Sequence, residues 1–138
     1  MMTTIKINSK EIKRFNEEEK RNHENIFMVL TDIKGDKYLI AHGIGGYIIA
    51  DDGIGRTPSQ TYARLVKLGK IENGEHLNIA CCFGGDIDND SENVSIVNNE
   101  SAPLFITRQV LNNGIGRLTM FTKTKIRDRV KAAISVFI

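Results

Sequence analysis

Two apolar segments of the chain end in the same way, and that repetition limits what the chain can fold into. "KYLIAHGIGG" (37–46) climbs through Leu39, Ile40 and Ala41 to His42, and three glycines follow within four residues. "HLNIACCFGG" (76–85) climbs through Leu77, Ile79 and Ala80 to Cys81 and Cys82, and two glycines follow Phe83. Short apolar runs bounded by turn residues read as buried strands. Between them lies "TPSQTYARLVKLGKI" (57–71), whose period is helical. Thr57 caps it, Pro58 takes the first helical position, and Tyr62, Leu65, Val66 and Leu68 lie on one side before Gly69 stops it. Strand, helix and strand in alternation predict an α/β fold, a compact, partly parallel sheet flanked by helices. Ligands bind at the carboxyl ends of such strands. The two ramps are therefore expected to deliver an imidazole and a thiol to one rim.

The rest of the chain fits around this unit. Residues 9–25 are dense in charge, with only Ile12 and Phe15 strongly apolar, and read as a surface helix or leader opened by Ser9. "NIFMVLTDI" (25–33) is a strand, turned by "KGDK" into an antiparallel partner for 38–42, and 46–53 is a third strand. "SAPLFITRQVLNNG" (101–114) is read as a second helix stopped by Gly114, and 116–126 alternates as a strand. Residues 127–138 remain open between helix and strand. No repeat, linker or low-complexity tract divides the 138 residues, so one domain spanning 1–138 is expected.

Composition removes several function classes. A formal net charge of +2 is too small to argue for nucleic acid. No apolar run approaches the roughly 20 residues of a membrane span, and "MMTTIKINSKEIKRF" holds no apolar leader core. The expected setting is cytoplasmic, or that of a protein delivered to a target cell without a cleaved signal peptide. The only two cysteines are adjacent, which disfavours both a disulfide within the chain and a cysteine-rich zinc site. "HGIGG" leads into a strand rather than a helix, so it is no dinucleotide fingerprint. Neither metal nor cofactor is expected.

What remains is thiol chemistry. A thiolate attacks carbonyls, and a neighbouring imidazole lowers its pKa or takes its proton. The oxyanion formed needs preorganised N–H donors, and Gly43 lets a carbonyl come close to the backbone. "YLIAHG", followed 39 residues from His42 to Cys81 by "LNIAC", resembles the caspase-like clan of cysteine peptidases, which includes the autoprocessing domains of bacterial toxins. The resemblance implies a caspase-like fold, His42 as catalytic histidine, Gly43 as oxyanion donor, Cys81 as nucleophile, and a protein or peptide as substrate. Strand alternation would turn Cys82 into the core.

Two weaker features accompany the pair. Asp86, Asp88 and Asp90 alternate in a polar loop that matches a calcium loop poorly but could wall the thiol and select a basic substrate residue. Lys123, Lys125, Arg127, Arg129 and Lys131 form a basic stripe, which protects a sheet edge or binds an anion. The resemblance implies a polyanionic effector there, such as inositol hexakisphosphate. Peptide-bond hydrolysis is the leading expectation. A non-catalytic binding or adhesin-like module with a buried cysteine, and a thiol-dependent deamidase or acyltransferase, are the alternatives.

Overall fold

The computed structural model describes residues 1–122 and the backbone of Ile134–Phe137. It opens with strand β1 (Met2–Asn8) and helix α1 (Ser9–Asn22). The Asn8 side chain, rather than that of Ser9, caps α1 by accepting the Lys10 N–H at 2.9 Å. Residues 1–25 are therefore more than a surface helix or leader. Ile5 and Ile7 of β1, with Ile12 and Phe15 of α1, are part of the core, while the charged residues face outward.

A 3-10 turn (His23–Asn25) leads into β2 (Phe27–Thr31), β3 (Lys37–Ile44), β4 (Tyr47–Ile49) and the two-residue β5 (Gly55–Arg56). Helix α2 (Pro58–Lys67) starts at a capping box. Gln60 N–H donates to Thr57 Oγ1 at 3.3 Å, and Thr57 N–H donates to Gln60 Oε1 at 3.1 Å. The chain continues through β6 (Leu77–Ala80), β7 (Val94–Ile96), β8 (Leu104–Val110), β9 (Ile115–Thr122) and β10 (Ile134–Phe137).

The architecture is mixed α/β. One sheet runs in the order β5-β4-β3-β6-β7, with β2 paired to β3 as well. Within it β3, β6 and β7 are parallel, β6 following β3 by way of α2, and β2 and β4 are antiparallel to β3. The second sheet is antiparallel, in the order β1-β9-β8-β10. One core fills the space between the sheets and α1. The other lies on the opposite face of the mixed sheet, where Tyr62 and Leu65 of α2 cover Leu39, Ala41 and Ile79. Among the described residues no helix is long and apolar enough to cross a membrane.

Residues 101–114 depart from the expected helix. Leu104 and Ile106 alternate into the intersheet core, a period of two. Asn113 and Gly114, read as a helix stop, both hold positive φ (65° and 74°) and form the β8–β9 hairpin turn. Asn-Gly is favoured at such turns because both residues tolerate that backbone.

Candidate active site

The site is decided by strand register. β3 and β6 pair in parallel with Leu39 opposite Ile79 and Ile40 opposite Ala80. β6 ends at Ala80, so Cys81 and Cys82 follow the paired residues as the chain turns away. The side chains follow the pleat. Ile40, Ala80 and Cys82 face the intersheet core, whereas Leu39, Ala41, Ile79 and Cys81 face α2. The expected companionship of Cys81 and His42 is thus not what the fold provides. His42 shares an open cleft of about 460 Å³ with Cys82, Phe83, Gly43, Ile44, Ile49 and Glu24, and Cys81 is not among its lining residues.

Cys81 is fully buried, and burial is the main reason its thiol is pushed up to about 12, with the neighbouring Cys82 adding to the rise. Its carbonyl accepts a 2.7 Å hydrogen bond from Nδ2 of the buried Asn98. Gly43 sits against this corner. A Cβ there would lie 2.2 Å from the Cys82 carbonyl oxygen and 3.0 Å from Cys81 Sγ. The glycine after the histidine is therefore required by the chain itself, whatever a substrate needs. Gly84 is required likewise, since its Cβ would lie 2.2 Å from the Asn98 carbonyl oxygen. Gly43→Ala should lower the free energy of unfolding by about 3 kcal/mol, an overpacking cost against backbone that cannot swing away. Urea denaturation measures it, and an unchanged midpoint would contradict this close approach.

Cys82 is buried at the floor of the cleft, and burial raises its thiol above the ordinary value. The Leu104 N–H opposes that rise by donating to Sγ at 3.2 Å. Half-buried His42 places Nε2 2.5 Å from the carbonyl oxygen of His23. A carbonyl only accepts, so Nε2 carries the proton and Nδ1 of the neutral ring is left as an acceptor. Phe83, on the same cleft, holds φ = 56°, an outlier for an aromatic residue and a local store of backbone strain.

The hairpin register also fixes the direction of the Gly43 amide. The Gly45-Gly46 turn has positive φ at both positions and closes β3 on β4 with Ile44 opposite Tyr47. Hydrogen-bonded and open pairs then alternate, so Gly43, opposite Ile48, directs its N–H away from β4. In the strand order that is the side of β6 and Cys82.

The remaining expected residues lie elsewhere. Asp90 caps the start of α2, accepting from Ser59 N–H at 2.8 Å and from Ser59 Oγ at 2.7 Å, and these bonds hold its carboxyl below the usual range. Asp86 ends a 3-10 turn whose backbone abuts Gly46, and Asp88 is exposed. None of the three lines the cleft, so they build no acidic wall beside it. Lys123, Lys125, Arg127, Arg129 and Lys131 lie outside the described residues. Among the described residues no group of three or more His, Cys, Asp or Glu is placed to hold a metal ion. Cys82, Phe83, Glu24 and the carbonyl of His23 were not foreseen as parts of a site, and only Cys82 had a readable signal, its parity with His42.

No family model, curated protein or solved structure matches this chain. Fold and cleft define it as a mixed α/β protein in which a buried thiol, Cys82, and an oriented imidazole, His42, line the same cleft.

Proposed function

We propose that this protein is a cysteine-dependent acyl-transfer enzyme that hydrolyses peptide bonds, with Cys82 as nucleophile and His42 as base. The observation that carries the proposal is that Cys82 and His42 line one cleft, with His42 Nε2 held by a carbonyl. Burial keeps the Cys82 thiol protonated at neutral pH, so the proton leaves when substrate arrives rather than beforehand. His42 Nδ1 takes it, the sulfur adds to the substrate carbonyl, and the Gly43 N–H stabilises the oxyanion. The protonated imidazole then gives its proton to the leaving amine. Water, deprotonated by His42, cleaves the thioester and restores the thiol.

The His-Gly before Cys order agrees with the caspase-like resemblance, with Cys82 in the nucleophile's place instead of Cys81. Free thiols suit a reducing compartment, and the proposed setting is the cytoplasm of the producing cell or of a target cell. Deamidation would use the same thioester with a side-chain amide as substrate. The second reading, a non-catalytic binding module, is favoured by the burial of both thiols and by exposed Ile44 and Tyr47 beside the cleft.

Iodoacetamide treatment of the folded protein over a time course at neutral pH, read by mass spectrometry, should modify Cys82, which borders the open cleft, ahead of Cys81, which does not. His42→Ala should slow Cys82 labelling about tenfold, as expected when a general base is removed. A peptide-library digest, with and without inositol hexakisphosphate, then tests turnover. Slow labelling indifferent to His42, with no cleavage in either digest, would leave the binding module standing and remove the enzyme.

A further inference from the structure

The carbonyl that orients His42 belongs to His23, in the exposed turn after α1, where a helix end would ordinarily fray. This turn is tied down from the core outward. Arg108 of β8 has a side chain only 6% exposed, and its guanidinium lies 4.8 Å from the centre of the Phe15 ring. It donates to Asn16 Oδ1 at 2.6 Å and to Glu19 Oε1 at 3.3 Å. The other carboxylate oxygen of Glu19 is 2.9 Å from His23 Nδ1. The His23 ring in turn meets the His42 ring edge-on, with centroids 5.5 Å apart.

We infer that His23 is a positioning residue for His42, and that Glu19, anchored by Arg108, fixes the His23 carbonyl and through it the protonated nitrogen of the His42 ring. The inference rests on the reading of His42 as the base, but its physical content is independent of turnover. Without an anchored acceptor, a neutral imidazole exchanges its proton between both nitrogens. With one, a single tautomer is selected, and the opposite nitrogen is held ready for the thiol proton. Arg108 is the fixed point because it is clamped between Phe15, Asn16 and Glu19, whereas the Glu19–His23 pair is half open to solvent.

Nitrogen-15 NMR of the histidine rings, recorded without substrate at a pH where His42 is neutral, tests this directly. Wild type should show His42 as the Nε2–H tautomer. Glu19→Ala and His23→Ala should both move it toward an average of the two tautomers. His23→Asn should restore the wild-type pattern, because the asparagine amide nitrogen occupies the place of Nδ1 and can still donate to Glu19. The substituted groups are partly exposed, so far-ultraviolet circular dichroism should stay unchanged. With a cleavable peptide, Glu19→Ala should lower kcat about tenfold while leaving KM in place, the usual scale for loss of an orienting partner.

An unchanged His42 spectrum in both alanine variants would overturn the inference even if wild type cleaves peptides. A changed spectrum that His23→Asn does not repair would overturn the assignment of the anchor to the His23–Glu19 contact. A changed and repaired spectrum in a protein that cleaves nothing would sustain the positioning and sink the catalytic reading instead.

Discussion

Cys82→Ala should lower kcat/KM for peptide hydrolysis by at least about 1,000-fold, and His42→Ala should lower it comparably. The double variant should be no worse than either single one, because thiol and base act in one step and removing either disables the other. Cys81→Ala is the discriminating control. Its side chain faces α2, across the sheet from His42, so activity should persist in the folded fraction. Its cost should be to stability, about 1 kcal/mol for the lost packing of a small buried group. Both changes replace a thiol by a methyl group, so a general disturbance of the strand end cannot explain opposite outcomes. Hydrolysis lost in Cys81→Ala and retained in Cys82→Ala would return the nucleophile's role to Cys81 and refute the register argument. Hydrolysis retained in both would remove thiol catalysis altogether.

The contrast between the cysteines also shows how far the sequence could be read. The crossover of two apolar strands around α2 was legible, down to the Thr57 and Pro58 start, because period and caps are local properties. The register was not. Ile40-Ala41-His42 and Ile79-Ala80-Cys81 look alike and suggest an offset of 39, whereas the sheet pairs Ile40 with Ala80, an offset of 40. A slip of one residue exchanges the two faces of a strand, so Cys81 packs toward α2, while Cys82 turns into the intersheet core as expected and there also borders the His42 cleft. What fixes the true register is distant in sequence. The Cys82 carbonyl must fit against Gly43, and Asn98 must reach the Cys81 carbonyl. The strand at 104–110 was missed for a related reason. Its alternation is short, and Asn113-Gly114 signals a stop equally well for a helix or a hairpin. The role of His23 rests on a backbone carbonyl, which no residue type announces.

Raising the pH above 9 should destabilise the protein through Cys81, by roughly 1 kcal/mol per pH unit until the buried thiol itself ionises. The sign follows from proton counting. Unfolded, the thiol titrates near its ordinary value of 9.0, while burial holds it protonated in the folded chain up to about 12. Below 9 both states keep the proton and the group contributes no pH dependence. Between 9 and 12 the unfolded state binds fewer protons, so unfolding gains free energy as pH rises. Tyr38, raised by burial and by Asp32 and Asp36, and Cys82, raised by burial, push in the same direction. The wild-type curve alone therefore does not isolate Cys81, but its difference from Cys81→Ala does. Urea denaturation of both proteins at pH 8, 10 and 11 should find wild type ahead at pH 8 by the packing term, then losing that lead and falling behind as the thiol's ionisation favours its unfolded chain. A difference that stays constant from pH 8 to 11 would mean that Cys81 ionises in the folded protein much as it does unfolded. That would require solvent or a cation at its sulfur, and Cys81 would again become a candidate nucleophile. A difference that reverses identifies Cys81 as a thiol held neutral by burial on the α2 side of the sheet, outside the His42 cleft and so without a base to take its proton.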